Sequence, residues 1–268
     1  MPALKPVYII MVREFKRFFR QKGRFFSALV RPLLWLFVIG PGFSRIVQTP
    51  TGDFSYAQFI FPGIIGMVVL FQSMLSSLST VYDREFGIVR LMLVAPITKL
   101  TIVIGKIASG SLLAVTQGLI LLALAPLLGI KIGPTQLLSM AIFLVLTAVT
   151  ISSLGMLIAT RMNSLENFAG VMNFVIFPMF FVSGGLYPVK LLPPVLQGIV
   201  YINPLTYGID LFKHALLPGA YHTGMGADFP LQLDILMLLV FTLGMTFLAT
   251  VLFNREGRLV LLGRRPRG

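Results

Sequence analysis

The chain has no cysteine among its 268 residues, which excludes a disulfide framework, thiol chemistry and cysteine-ligated metal sites. Charge is scarce too: Asp, Glu, Lys and Arg make up 12% of the sequence, where a soluble domain carries about 25%. Acids number nine, and the two histidines, His214 and His222, are too few for a His-rich metal centre. The composition is apolar instead, with 56% hydrophobic residues and a mean hydropathy of +0.90. A soluble chain of this length needs polar residues to cover its surface, and here they are missing. Lipid is therefore the solvent for most of the chain.

A formal net charge of +13 would point to nucleic acid in a soluble protein. The cations instead crowd the termini and the short loops, as the positive-inside rule prescribes for a membrane protein, and no nucleic-acid partner is expected. A spanning helix needs about 20 apolar residues, and six runs qualify, near 28–47, 58–82, 103–128, 136–160, 168–187 and 231–253. With both termini cytoplasmic, 16 of the 22 Lys and Arg fall inside and three (Lys131, Lys190, Lys213) outside, with Arg31, Arg45 and Lys106 in or at the ends of spans. Arg31 reads as a cation snorkelling to the inner headgroups.

The fold class expected is an all-α integral membrane protein in a single transmembrane domain. Residues 1–27 form a cytoplasmic amphipathic helix at the membrane interface, 28–253 the six-span bundle and 254–268 a cytoplasmic basic tail. In the first segment Tyr8, Met11, Val12, Phe15, Phe18, Phe19, Phe25 and Phe26 recur at steps of three, four and seven between the cations, a pattern suited either to the lipid interface or to packing on another subunit.

The fifth run is interrupted by Pro178, Gly184, Gly185, Pro188, Pro193 and Pro194. A continuous helix is not expected through it, and residues 189–202, too short to cross, read as a re-entrant or interfacial segment on the outer side before span six. Polar residues within spans include Gln72, Ser73, Ser76, Ser77, Thr80 and Asn173. Ser73, Ser76, Ser77 and Thr80 share one helical face, fit for close helix packing or for lining a pathway.

Motifs for chemistry are wanting. Gly105 and Lys106 are adjacent, but Leu100 stands where a phosphate-binding loop requires its first glycine. Any ATPase must be another polypeptide. Ser183 has no intramembrane histidine to activate it. His214 lies near Asp210, Asp228 and Asp234, but the spacing fits no zinc or hydrolase motif, and 213–230 reads as a solvated loop. No catalytic, cofactor-binding or metal-binding residue is expected. The reading kept as a rival is a membrane-embedded enzyme acting on lipid through Ser183, Asp210 or His214.

Between spans two and three stands VYDREFGIVRLMLVAPITK, and on the outer side GGLYPVKLLPPVLQGIVYINPLTYGIDLFK. With the six runs and the amphipathic N-terminus, these segments resemble the membrane subunit of type-2 ABC exporters over nearly the whole chain. Pro204, Leu205 and Tyr207 match that family's signature, and Lys213 stands where it has Arg or Gln.

The resemblance implies a multi-pass inner (plasma) membrane permease working as a homodimer or pseudo-dimer. Two ATP-binding-cassette subunits would dock on its cytoplasmic face, with ATP and Mg bound only by them. Family members serve multidrug efflux, nodulation-factor and polysaccharide export. The family's coupling helix falls on residues 83 to about 95, so Asp83, Arg84, Glu85, Phe86, Gly87 and Arg90 are the expected ATPase contacts, with the charges as the docking face. Gly184, Gly185, Pro188, Pro204 and Tyr207 would shape the exit, and Gln72, Ser73, Ser76 and Asn173 the pathway.

Overall fold

The computed structural model describes residues 4–20, 23, 30, 32–39, 42, 56–94, 97–218 and 226–261. Nine α-helices are present among them: α1 Leu4–Arg20, α2 Tyr56–Glu85, α3 Ile88–Val94, α4 Lys99–Leu122, α5 Pro134–Ala159, α6 Leu165–Phe181, α7 Pro194–Val200, α8 Pro204–Leu216 and α9 Leu231–Leu261. No strand occurs among the described residues. Helices α2, α4, α5 and the Leu231–Asn254 part of α9 are long and apolar enough to cross a membrane, while α6 is apolar but has 17 residues. The first expected run, 28–47, lies largely outside the described residues, as do Arg31, Pro96 and His222; its described part holds a π-helical turn at Trp35–Ile39.

Local chemistry sets the helix ends. Gly87, at φ +74°, closes α2 in the left-handed conformation that glycine adopts without steric penalty, with the Phe86 and Gly87 N–H groups bonded back to Tyr82 and Arg84. Thr98 Oγ1 accepts from the Thr101 N–H to start α4, and Ser164 Oγ accepts from Asn167 to start α6. At α8 the Asn203 side chain accepts from the Leu205 N–H, and Pro204 occupies the first helical position, where its missing N–H costs nothing.

Helices α2 and α5 form the centre of the bundle, flanked by α4, α6, α8 and α9. The serine stripe of α2 is a packing surface: a Cβ on Gly155 of α5 would sit 2.4 Å from Ser77 Oγ, and one on Gly110 of α4 would sit 3.1 Å from Ser76 and Ser152. Hydroxyl pairs join α5 to α9, Thr150 with Thr242 at 2.7 Å and Ser153 with Thr246 at 3.1 Å, as expected where apolar surface alone gives helices no reason to associate.

Two expectations are corrected here. Pro178 does not break the fifth run: α6 passes through it and ends at Phe181. A proline in the last turn removes one backbone bond, and the apolar flanks supply the rest of the helix. Residues 213–216 are not loop, because α8 continues to Leu216, and Lys213 is helical and only 1% exposed.

Candidate functional site

Two polar constellations sit at opposite ends of the bundle. At the end where α1 lies and α2 finishes, called here the basic end, α1 packs along α4 so closely that a Cβ on Gly105 would meet Ile10 Cδ1 at 2.9 Å. Glu14 is thereby brought to Lys106 at 2.8 Å, while Asp83, on the last turn of α2, accepts from the same ammonium. Arg13 Nη2 reaches both acids at 2.7 Å. Asp83, Glu14 and Lys106 are buried. Burial pushes the Glu14 carboxyl up, but Lys106 and Arg13 outweigh it and hold Glu14 below its ordinary value. Arg17 lies over the Tyr82 ring at 4.3 Å.

The neighbouring charges are equally occupied. Arg84 Nη1 donates to the carbonyls of Ala159, Thr160 and Met162, at 3.2, 3.0 and 2.7 Å, which closes the C-terminal end of α5. Glu85 Oε2 accepts from the Leu165 N–H at 2.8 Å, at the start of α6. Of the expected docking charges, Arg84 and Glu85 therefore bind the protein's own helix ends, where orphan backbone groups lie within reach, and Asp83 binds the Lys106 and Arg13 side chains. Phe86 and Leu91 stand outside the corner, 60% and 75% exposed, beside the exposed Glu85. The Arg90 side chain lies outside the described residues.

Of the expected pathway residues, Gln72 and Ser76 line a cavity of about 230 Å³ with Glu14, Arg17, Phe18 and Leu113. Gln72 Oε1 is buried without a hydrogen-bond partner among the described residues. Ser73 is not in this wall; its hydroxyl faces α5 at 3.5 Å from the Ala148 carbonyl. Asn173 is on the exposed face of α6 beside Phe174, which is 80% exposed. The four do not converge.

At the far end Gly184, at φ +75°, turns the chain after α6, and Gly185 lies against Gly63 of α2: a Cβ on Gly63 would stand 2.2 Å from the Gly185 carbonyl oxygen. Ser183 Oγ donates to the Phe180 carbonyl and accepts from the Gly185 N–H, so it stabilises this turn and is not poised as a nucleophile. Pro188 precedes a short 3-10 turn, Val189–Leu191. Asn203 Nδ2 donates to Met179 O, and the buried Tyr207 hydroxyl donates to Tyr201 O, which pins the start of α8.

Further along α8 stand Asp210, Lys213 and His214, with Asp210 and His214 on the face of Tyr207. Lys213 Nζ is 2.8 Å from Asp228 Oδ2 and 3.8 Å from Asp210 Oδ1, and lies 5.6 Å from the centre of the Phe59 ring. Asp210 accepts from the N–H groups of Asp228 and Phe229, both at 2.8 Å, and His214 Nε2 is 3.0 Å from the Phe229 carbonyl and 3.5 Å from Asp234. The sequence reading had His214 near Asp210, Asp228 and Asp234 but set the group aside for want of a motif, and so gave no weight to this convergence. Its signal was the Asn203–Pro204 helix start, which places Asp210 and His214 four apart on one face.

Comparison with known proteins agrees with this architecture. The family model described as ABC-2 type transporter matches residues 6–217. The inner membrane transport permease YadH of Escherichia coli K12 is 30% identical over 222 residues, 80% of this chain and 83% of that one. A transport permease named ycf38 from Cyanophora paradoxa is 29% identical, covering 79% and 76% of the two chains. Nodulation protein J of Rhizobium leguminosarum bv. viciae is 28% identical, covering 70% and 73%. The chain belongs to the ABC-2 type transporter family.

Proposed function

We propose that the chain is the membrane permease of an ATP-driven exporter of the inner membrane, with six spans and both termini in the cytoplasm. A separate ATP-binding-cassette ATPase, which binds the ATP and Mg, would push on the corner between α2 and α3. The basic end is then the cytoplasmic end, and the far end, with Gly184, Gly185, Pro188, Pro204 and Tyr207, shapes the exit. The observation that carries this reading is the apolar pair Phe86 and Leu91, exposed on a corner where Asp83 is buried and Arg84 and Glu85 are bonded to the ends of α5 and α6. Apolar surface outside the spans and rigidly tied to α2, α5 and α6 suits a partner that moves them together.

Dimerisation is supported by α6. Asn173 forms no hydrogen bond among the described residues and stands on a face with Phe174, Phe177 and Phe181 exposed. An amide at membrane depth is stabilised by a partner across a helix interface, and a second copy of this face supplies one. The relative named an inner membrane transport permease and the one named Nodulation protein J are in keeping with a transport role.

The test is recovery of the tagged chain from native membranes. The expected result is co-purification of an ATP-binding-cassette ATPase, lost when Phe86→Asp and Leu91→Asp are combined, while helicity is kept. An ATPase that never co-purifies, or one that binds the double variant with unchanged ATP turnover, overturns the reading.

A further inference from the structure

We infer that Asp210, His214 and Asp234 form a binding site for a first-row divalent transition metal, zinc being its probe, at the far end of the bundle. This goes against the sequence-based expectation of no metal site and does not rest on the transport reading. The ligand atoms of the three residues lie within 4.8 Å of one another. Asp234 is completely buried, and neither of its carboxylate oxygens has a hydrogen-bond partner among the described residues. A buried carboxylate whose near cationic neighbour, His214 Nε2, stands 3.5 Å away calls for a closer cation.

The charge count points the same way. Asp210, Asp228 and Asp234 face one ammonium, Lys213, which sits 2.8 Å from Asp228 and 3.8 Å from Asp210. With His214 neutral, two negative charges remain uncompensated in a buried pocket, and one divalent ion cancels them. The donors are one imidazole nitrogen and carboxylate oxygens, and binding through Nε2 replaces the proton that this nitrogen shares with the Phe229 carbonyl at 3.0 Å, which is released to solvent. That mixed nitrogen and oxygen set suits zinc or manganese over magnesium.

Supporting contacts are in place. Asp210 is oriented by the Asp228 and Phe229 N–H groups, which leave each oxygen a further lone pair. His214 is half-buried, so the pocket is reached from the far-end surface. A metal here would tie α8 to the first turn of α9 and to the 228–229 strand of chain between them.

The experiment uses the full chain in detergent micelles, purified through a tag without histidines. Metal content is measured by mass spectrometry, and melting temperature after chelation and after reloading with zinc, manganese or magnesium. The expected result is close to one zinc per chain, a zinc-dependent rise in melting temperature, and visible d–d bands when cobalt replaces zinc. Asp234→Asn and His214→Gln should lose the metal and the rise. A wild-type chain that carries no zinc and melts identically with and without it overturns the site, with protons then balancing the charge. Because that comparison needs only the wild type, it stands even if the variants fail to fold.

Discussion

Replacing Lys106 by Met tests whether the basic end is held by its ion network or merely decorated by it. The substitution keeps the unbranched stem in α4 but leaves Glu14 and Asp83 buried with Arg13 as their remaining cation. Removing one partner from a buried ion pair costs about 3–5 kcal/mol. Arg13 still reaches both acids at 2.7 Å, so the lower end, about 3 kcal/mol, applies. Arg13→Gln should cost at most about 1 kcal/mol, because that side chain is 41% exposed and screened by solvent. At this chain length about 1 kcal/mol shifts melting by about 2–4 °C, so Lys106→Met should melt about 6–12 °C lower. Circular dichroism melts in detergent read this directly. A spin label on Lys16→Cys, in a chain free of native thiols, reports whether α1 has left α4. Adding Glu14→Met and Asp83→Leu removes the stranded acids and should recover most of the loss. The reasoning is refuted if Lys106→Met melts with the wild type, or if the triple variant is no better than the single one.

Other outcomes follow from the packing and the titration. Gly63→Ala should cost about 3 kcal/mol, since the new methyl meets Gly185 backbone that has nowhere to go. Gly66→Ala, which meets Cγ1 and Cδ1 of the Ile209 side chain rather than backbone, should cost less, and Gly244→Ala, with open space around it, nothing; melting of the three ranks them. Glu14, held below its ordinary value of 4.5, contributes stability that is full above that pH and lost as the pH falls through its lower folded value. Wild-type and Glu14→Gln melting temperatures should therefore converge on acidification. Asn203→Ala removes the cap of α8 and the bond to Met179 O and should cost about 1 kcal/mol, visible as faster amide exchange across residues 205–207.

Much of the scaffold was legible because lipid imposes simple rules. Runs of apolar residues gave α2 and α5 to within three residues and the spanning part of α9 to within one, while α4 begins four and ends six residues before its run does; Gly87 marked the turn between α2 and α3. The proline-rich stretch after Phe181 was rightly expected to be irregular. Pro178 misled because a breaker read alone says nothing about how near the helix end it falls. The ion network was hidden for another reason: Glu14 and Lys106 are 92 positions apart, and nothing local to either announces the other. A lysine near a span end reads as snorkelling until α1 is seen to cover it. The same applies to Asp210 and Asp234, which meet only once α8 folds back against α9.

The contact between Gly63 and Gly185 has a mechanical consequence. It is a fulcrum near one end of a single 30-residue helix, and the stretch from Gly63 to Glu85 is about 33 Å long at 1.5 Å per residue. A tilt of about 5° about that point moves the opposite end by about 3 Å, roughly the width of a hydrogen bond, with no change in the helix itself. Small rotations at one membrane face are thus geometrically tied to bond-breaking displacements at the other.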